Sequence, residues 1–172
     1  SKIVFLDVDG TLIDYEAKLP ASAAKAVDQA RANGHKVYIC TGCSKAEILQ
    51  RNLCDLDGMI GGNGAYVEDN GHVVMHQGLS KEDVKNIVDW CNERHIGFYL
   101  EANSGMYCND YMLEQGPETM VKYAKDKGAS LENAKSSAQH FVDGFIHLQG
   151  DELYRDDVNK ISFILRTYQD HL

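Results

Sequence analysis

Three short apolar segments alternate with two helix-like segments in the first 60 residues, and this pattern restricts the fold more than any other feature. The apolar segments are KIVFL (2–6), KVYIC (36–40) and GMI (58–60). Continuous runs of this length, rich in branched residues, are typical of strands buried on both faces of a parallel sheet. Strand, helix, strand, helix and strand in this order predict an α/β fold with a doubly wound parallel sheet.

The segments between these strands carry helix start and stop signals. Ser22 is placed to cap the first helix and Gly34 to end it. The expected apolar stripe of that helix consists of Ala23, Ala26, Val27 and Ala30. Ser44 and Glu47 have the spacing of a capping box, which predicts a second helix from this point to about Leu53.

The pattern changes in the following part of the chain. Residues 65–76 form two alternating runs around Asn70-Gly71, which predicts a hairpin with a type I′ turn. A capped amphipathic helix is expected within 80–97, and a further helix near 118–127. Strand-like pieces are FYLEA (98–102), GMYCN (105–109), GFIHLQG (144–150) and KISFIL (160–165). We therefore expect two units, an α/β unit over 1–78 and an α+β unit over 79–172.

Charge and cysteine content limit the classes of partner. The net charge is −9 and no run of Lys or Arg is present, which argues against nucleic acid or an anionic membrane as the main partner. Five cysteines scattered through apolar patterns are typical of reduced thiols in a cytosol. No apolar stretch approaches the roughly 20 residues of a membrane span, and the N-terminus does not have the layout of a signal peptide. We expect a soluble cytoplasmic protein; the oligomeric state is not indicated.

The first strand ends in DVDGT (7–11), which places two carboxylates at the mouth of an apolar segment. Residues i and i+2 of a strand point to the same face, so Asp7 and Asp9 are expected to project together. The carboxyl edge of an open α/β sheet is where ligands bind, and Mg²⁺ takes carboxylates together with substrate phosphate. One carboxylate can attack phosphorus and its neighbour can act as acid and base. The alternative is that both residues simply end a strand and cap a turn.

These segments resemble the haloacid dehalogenase-like (HAD) phosphatases. DVDGT (7–11) is similar to their first motif and ICTG (39–42) to their second. GGNGAYV (61–67), followed by a hairpin, is similar to the Cof-like sugar-phosphatase branch, in which an α/β cap follows the third core strand. The resemblance implies that 1–78 is the N-terminal part of a HAD-like core and 79–172 an inserted α+β cap domain.

The resemblance also implies an activity and its residues. The function would be Mg²⁺-dependent hydrolysis of a small phosphorylated metabolite, such as a sugar phosphate, through an aspartyl-phosphate. Asp7 would be the nucleophile and a metal ligand, and Asp9 the general acid and base that also offers its backbone carbonyl to the metal. The implied substrate-binding residues are Gly10, Thr11, Thr41, Gly42 and Asn63. Thr41 also precedes a capped helix, where an anion is favoured, or it could merely satisfy turn hydrogen bonds.

Two further motifs of the family, a Lys and an acidic cluster, are not found. GDELYRDD (150–157) and Lys160 are partial substitutes, but a strand follows immediately, so we expect both to lie in the cap. We therefore expect the closing half of the core to be absent from these 172 residues. One alternative is then a catalytically incomplete HAD fragment that needs this half; another is phosphomutase or phosphonatase chemistry, which shares the nucleophile.

Cys43 stands where many relatives have Arg after the Thr-Gly pair, so this position carries no positive charge. It also completes C-T-G-C (40–43) at a helix start, where a thiolate is stabilised, and this leaves a redox site as an alternative. We expect Cys40 in the core instead, and no second Cys/His pair has the spacing of a zinc site. Residues 101–111 are a candidate substrate-facing loop or a plain surface loop.

Overall fold

The computed structural model describes residues 1–14 and 18–167 of the chain. It divides the chain into two compact units, Ser1–Gly78 and Leu79–Leu172. In the described ranges no helix is both long enough and apolar enough to cross a membrane.

The first unit is built on a five-stranded sheet with the strand order β1-β2-β3-β4-β5. Its elements are β1 Ile3–Leu6, α1 Ala21–Ala32, β2 Lys36–Cys40, α2 Lys45–Leu49, β3 Gly58–Gly61, β4 Tyr66–Asp69 and β5 His72–His76. The pairs β1/β2 and β2/β3 are parallel, and β3/β4 and β4/β5 are antiparallel. The mixed sheet, whose first three strands are parallel, confirms the predicted α/β class together with its helices.

Burial on β1 differs from the prediction. Val4 and Leu6 pack against the core of the unit, but Ile3 is 61% exposed and Phe5 is 57% exposed. The expectation that this strand is buried on both faces is therefore wrong. Since β1 is the outermost strand and only one sheet face carries the core, its second face stays open in the described residues.

The local signals of this unit are largely confirmed. Asn70 and Gly71 both have positive φ, 48° and 80°, as a type I′ turn requires, and they join β4 to β5. Ser44 caps α2, and its Oγ accepts a hydrogen bond from the Glu47 amide at 3.3 Å. Helix α2 is shorter than predicted and ends at Leu49.

The start of α1 corrects the prediction. Pro20, and not Ser22, occupies the N-cap position, and no side chain caps the helix there. Proline is tolerated at this position because an amide there would have no intrahelical acceptor. Val27 is buried, but Ala26, which was expected on the apolar stripe, is exposed.

The second unit has a four-stranded sheet with the order β8-β7-β6-β9. Its elements are α3 Lys81–Glu93, β6 Gly97–Ala102, β7 Met106–Cys108, α4 Asp110–Asp126, α5 Leu131–Asp143, β8 Phe145–His147 and β9 Val158–Ile164. Strand β6 pairs antiparallel with β7 and β9, and β7 pairs parallel with β8. The predicted amphipathic helix is α3, whose Val84, Val88 and Cys91 are buried in the core of this unit.

Two helices of this unit were incompletely predicted. Helix α4 begins at Asp110, well before the predicted 118–127, and continues through Pro117. Helix α5 has no counterpart in the prediction. A proline inside a helix removes one backbone hydrogen bond, so the sequence favours a start after Pro117. Helix α4 starts earlier because Asn109 caps it and because Met112 and Gly116, which precede the proline, are buried.

Candidate functional site

The segment after β1 folds into a tight turn that presents two carboxylates. Val8 is fully buried, whereas Asp7 and Asp9 on either side of it are exposed. The amides of Leu12 and Ile13 both donate to the Val8 carbonyl at 3.0 Å, which closes the turn. Gly10 has φ 77°, a conformation that glycine adopts without strain. Burial of Val8 therefore orients both acids outward, as the spacing predicts.

Thr11 lies close to the first of these acids. Its Oγ1 donates a hydrogen bond to Oδ2 of Asp7 at 3.1 Å. The Asp7 carboxylate is thus held by a neighbour from its own turn and remains open to solvent. A carboxylate in this state can still accept a cation or attack an electrophile.

The end of β2 lies beside this turn. Leu6 and Ile39 are paired residues in the parallel β1/β2 ladder, so the residues that follow them leave the sheet at the same edge. Thr41 is buried, and its amide donates to the Ile60 carbonyl at 2.9 Å. Its Oγ1 accepts a hydrogen bond from the Cys43 amide at 3.2 Å. This hydrogen bond is the one expected if Thr41 merely satisfies its own turn. Helix α2 has only five residues, so its dipole is small.

Asn63 is brought against Gly42 by the loop after β3. A Cβ on Gly42 would lie 2.8 Å from Oδ1 of Asn63, so only glycine fits there without movement of Asn63. Asn63 itself has φ 56°, a left-handed conformation that asparagine tolerates better than most residues. The Gly62 amide donates to the Cys43 carbonyl at 2.8 Å and ties the two loops together.

Arg51 was not predicted as a site residue. It follows α2, and its Nη1 forms an ion pair with Oδ1 of Asp9. Its Nη2 donates to Oε1 of Glu47 at 2.6 Å. Glu47 and Arg51 are four residues apart in a segment predicted to be helical to about Leu53, and this spacing was a sequence signal for their pairing. The contact with Asp9, 42 positions away, had no such signal.

The two cysteines of C-T-G-C lie in different environments. Cys40 is exposed, so its expected place in the core is wrong. Burial, followed by the negative charge of Glu47, raises the pKa of the Cys43 thiol to about 12. The Cys43 Sγ lies 3.2 Å from Oε1 of Glu47, to which it donates. A neutral thiol in this setting does not fit the thiolate that the redox alternative requires.

The partial substitutes for the two motifs that are not found, residues 150–157 and Lys160, lie in the second unit. Lys160 is on β9 and pairs with the fully buried Glu101 at 3.0 Å. Asp157 pairs with Arg155 at 2.6 Å and accepts a hydrogen bond from Ser104 at 2.6 Å. These contacts give both groups a structural role within the unit.

Residues 101–111 are not one loop. They comprise the end of β6, a turn, all of β7 and the first residues of α4. The Ala102 amide donates to the Gly105 carbonyl at 3.0 Å and closes the turn.

The site offers two carboxylates to a cation. Within residues 1–14 and 18–167, no group of three or more His, Cys, Asp or Glu side chains is gathered in a way that could hold a metal ion by itself. The exposed carboxylate of Asp7 and the adjacent Asp9 are nevertheless the hard oxygen donors that Mg²⁺ prefers. Mg²⁺ commonly binds through one or two carboxylates and completes its coordination with water and phosphate. The residues present therefore fit part of a magnesium site.

The fold and the paired acids at a strand end define an α/β protein with a carboxylate site beside the end of its first strand. A family model of haloacid dehalogenase-like hydrolases matches residues 4–171, and the chain belongs to this family. The 5-amino-6-(5-phospho-D-ribitylamino)uracil phosphatase YwtE of Bacillus subtilis is 31% identical over 114 residues, which cover 65% of this chain and 37% of YwtE.

Two solved structures have a similar fold. A protein from Geobacillus kaustophilus HTA426 matches 99% of this chain and 60% of its own, with a TM-score of 0.73 and 23% identity. The HAD subclass IIB sugar phosphatase BT4131 matches 92% of this chain and 56% of its own, with a TM-score of 0.63 and 26% identity. The chain spans less than half the length of the curated relatives it matches.

Proposed function

We propose that this chain carries the nucleophile half of a Mg²⁺-dependent phosphatase that acts on a small phosphorylated metabolite of the cytoplasm. The observation that carries the proposal is the pair of outward carboxylates, Asp7 and Asp9, on the turn that follows β1. YwtE and BT4131 are named as phosphatases of a phosphoribityl compound and of sugars, which supports a sugar phosphate or similar ester as the substrate class. Residues 1–78 would be the N-terminal part of the core and 79–172 the cap domain.

In this proposal Asp7 attacks the phosphorus atom, and the bond to the leaving oxygen breaks. Asp9 gives its proton to that oxygen, which leaves an aspartyl-phosphate on Asp7 and an alcohol. Asp9 then takes a proton from a water molecule that attacks the phosphorus, and the release of inorganic phosphate restores Asp7. Mg²⁺ held by Asp7 and the Asp9 carbonyl would neutralise charge on the phosphoryl oxygens.

The remaining residues would bind the phosphoryl group. Thr41 and Gly42 would hold it from the end of β2, while Asn63 contacts the substrate from beside Gly42. Gly10 would allow the backbone to approach the phosphate closely, and Thr11 would keep Asp7 in place through its hydrogen bond.

The test is hydrolysis of p-nitrophenyl phosphate by the purified protein. Asp7→Asn is expected to lower kcat by about a thousandfold or more, because the nucleophile is lost. Asp28→Asn, on the exposed face of α1, is the matched control and should leave turnover unchanged. EDTA should stop turnover, and added Mg²⁺ should restore it. Turnover that survives EDTA would contradict the requirement for Mg²⁺. Turnover by Asp7→Asn would contradict the assignment of Asp7 as the nucleophile. Release of inorganic phosphate separates hydrolysis from mutase chemistry.

A second candidate is a catalytically incomplete HAD fragment that needs a complementing polypeptide. The open apolar face of β1, with Ile3 and Phe5 exposed, favours it, since such faces are normally covered. The intact mass of the protein purified from its source and its assayed activity discriminate the two candidates. A 172-residue species with no turnover supports the second candidate, and turnover by that species supports the first.

A further inference from the structure

Arg51 joins two elements at the carboxylate site. Its Nη1 contacts Oδ1 of Asp9 on the turn after β1, and its Nη2 donates to Oε1 of Glu47 in the first turn of α2 at 2.6 Å. A guanidinium is planar and presents its donors at fixed angles, so two acceptors bound to its two ends are fixed relative to each other. Arg51 therefore holds Asp9 in a defined position relative to α2.

The burial of the three side chains indicates which one is held by the others. The Glu47 side chain is 12% exposed, that of Arg51 is 21% exposed and that of Asp9 is 58% exposed. Glu47 and Arg51 thus form the inner, fixed part of the cluster. Asp9 is the outer member, and the chain of contacts limits the rotation that an exposed carboxylate would otherwise have.

Cys43 fills the remaining side of this cluster. Its Sγ lies 3.5 Å from Nη2 of Arg51 and 3.8 Å from Oδ2 of Asp9. A side chain of this size leaves room for the guanidinium next to the carboxylate. Burial lowers the pKa of Arg51, but the hydrogen bonds to Asp9 and Glu47 raise it by more, so the group stays charged.

We propose that Arg51 is a positioning residue for Asp9. It binds Oδ1 of the Asp9 carboxylate and thereby limits the rotation of that side chain. This role rests on the proposed function, because it requires Asp9 to act as acid and base. Arg51 acts through Asp9 and does not itself need to touch the substrate.

The kinetic test compares Arg51→Gln, Arg51→Lys and Glu47→Gln in the Mg²⁺-loaded protein with p-nitrophenyl phosphate. Arg51→Gln should lower kcat by about 10- to 100-fold and leave KM within about twofold, because only the orientation of Asp9 changes. Arg51→Lys should recover part of the loss, since an ammonium can contact Oδ1 but cannot bridge to Glu47. Glu47→Gln should give a smaller loss. A kcat equal to wild type in Arg51→Gln, or a rise in KM alone, would overturn the role.

A second measurement does not depend on activity. The thermal midpoint should fall in Arg51→Gln, and this fall should be clearly smaller when Asp9 is already Asn, because the shared contact has been removed. In the Asp28→Asn background the fall should be unchanged. Equal falls in all three backgrounds would overturn the contact between Arg51 and Asp9. If Arg51→Gln does not fold, Arg51→Lys in the same backgrounds gives the same comparison.

The outcomes separate this role from the proposed function. Absence of hydrolysis that depends on Asp7 would overturn both. Hydrolysis that depends on Asp7 and Asp9 but not on Arg51 would overturn the positioning role alone. A drop in kcat together with coupling in the thermal midpoint supports both.

Discussion

At the scale of single residues, Asn109 carries more hydrogen bonds than any local pattern would suggest. Its Oδ1 accepts from the amides of Met112, at 3.0 Å, and of Phe98, at 3.1 Å. Its Nδ2 donates to the Ile96 carbonyl at 3.1 Å and to Oδ1 of Asn92 at 3.0 Å. With 2% of its surface exposed, Asn109 satisfies polar groups that water cannot easily reach. It caps α4 and holds the start of β6 against it.

We predict that Asn109→Ala lowers the free energy of unfolding by about 2–4 kcal/mol, because a helix cap is lost and buried backbone groups lose their partners. The matched control is Ser130→Ala, which removes the exposed cap of α5 and should cost about 1 kcal/mol. Urea unfolding followed by circular dichroism measures both. Equal losses in the two variants would show that burial of Asn109 adds nothing to its capping role.

Residues also differ in how far the sequence could predict them. The alternation of exposed Asp7, buried Val8 and exposed Asp9 follows from spacing within one short segment. The contact of Arg51 with Asp9 depends on how α2 packs beside the turn after β1, and no local pattern contains that information. For the same reason the neighbourhood of Asn63 and Gly42 could be expected only from the resemblance to a family.

At the scale of secondary-structure elements, the β4/β5 hairpin is tied to α2 by a small polar cluster. Lys45 at the start of α2 forms an ion pair with Glu68 on β4, and its Nζ also donates to the Tyr66 hydroxyl at 2.9 Å. Hydrogen bonds from Lys45, and then from Tyr66, lower the pKa of Glu68 below its ordinary value of 4.5, although burial opposes the shift. The carboxylate is thus stabilised in the folded state.

This shift predicts how the stability depends on pH. A carboxyl group with a lowered pKa in the folded state stabilises the fold above its unfolded pKa, and the contribution is lost as the pH falls through the folded pKa. At pH 7, Glu68→Gln should lower the free energy of unfolding by about 1 kcal/mol. Below pH 4 the difference from wild type should shrink. Urea unfolding at several pH values tests this, and Glu118→Gln on the exposed side of α4 should show no such trend. A difference that stays constant down to pH 3 would contradict the assignment.

Elements defined by local chemistry were predictable, whereas those defined by distant packing were not. The hairpin follows from Asn70-Gly71, because both residues readily adopt the positive φ of a type I′ turn. The extent of α4 follows from the packing of Met112 and Gly116, which outweighs the local penalty of Pro117. The apolar run of β1 predicts a strand correctly but cannot tell whether the strand lies at the centre of a sheet or at its edge.

At the scale of the whole molecule, the first unit has an open apolar face on its sheet. Ile3 and Phe5 border a groove of about 580 Å³ on this face, which Tyr38, Ile60 and Val67 also line. An edge strand with exposed apolar side chains favours association with other polypeptides. The first unit is therefore expected to associate through this face unless another segment covers it.

Phe5→Lys tests whether the face is open in solution. The substitution should change the free energy of unfolding by less than about 1 kcal/mol, because the Phe5 side chain is largely exposed and a lysine stem can still lie on the sheet. It should also lower the fluorescence of a bound hydrophobic dye and reduce self-association in light scattering. Val37→Ala is the matched control on the neighbouring strand; it removes a buried side chain, should cost about 2 kcal/mol and should leave association unchanged. If Phe5→Lys costs as much as Val37→Ala, the face is covered in solution.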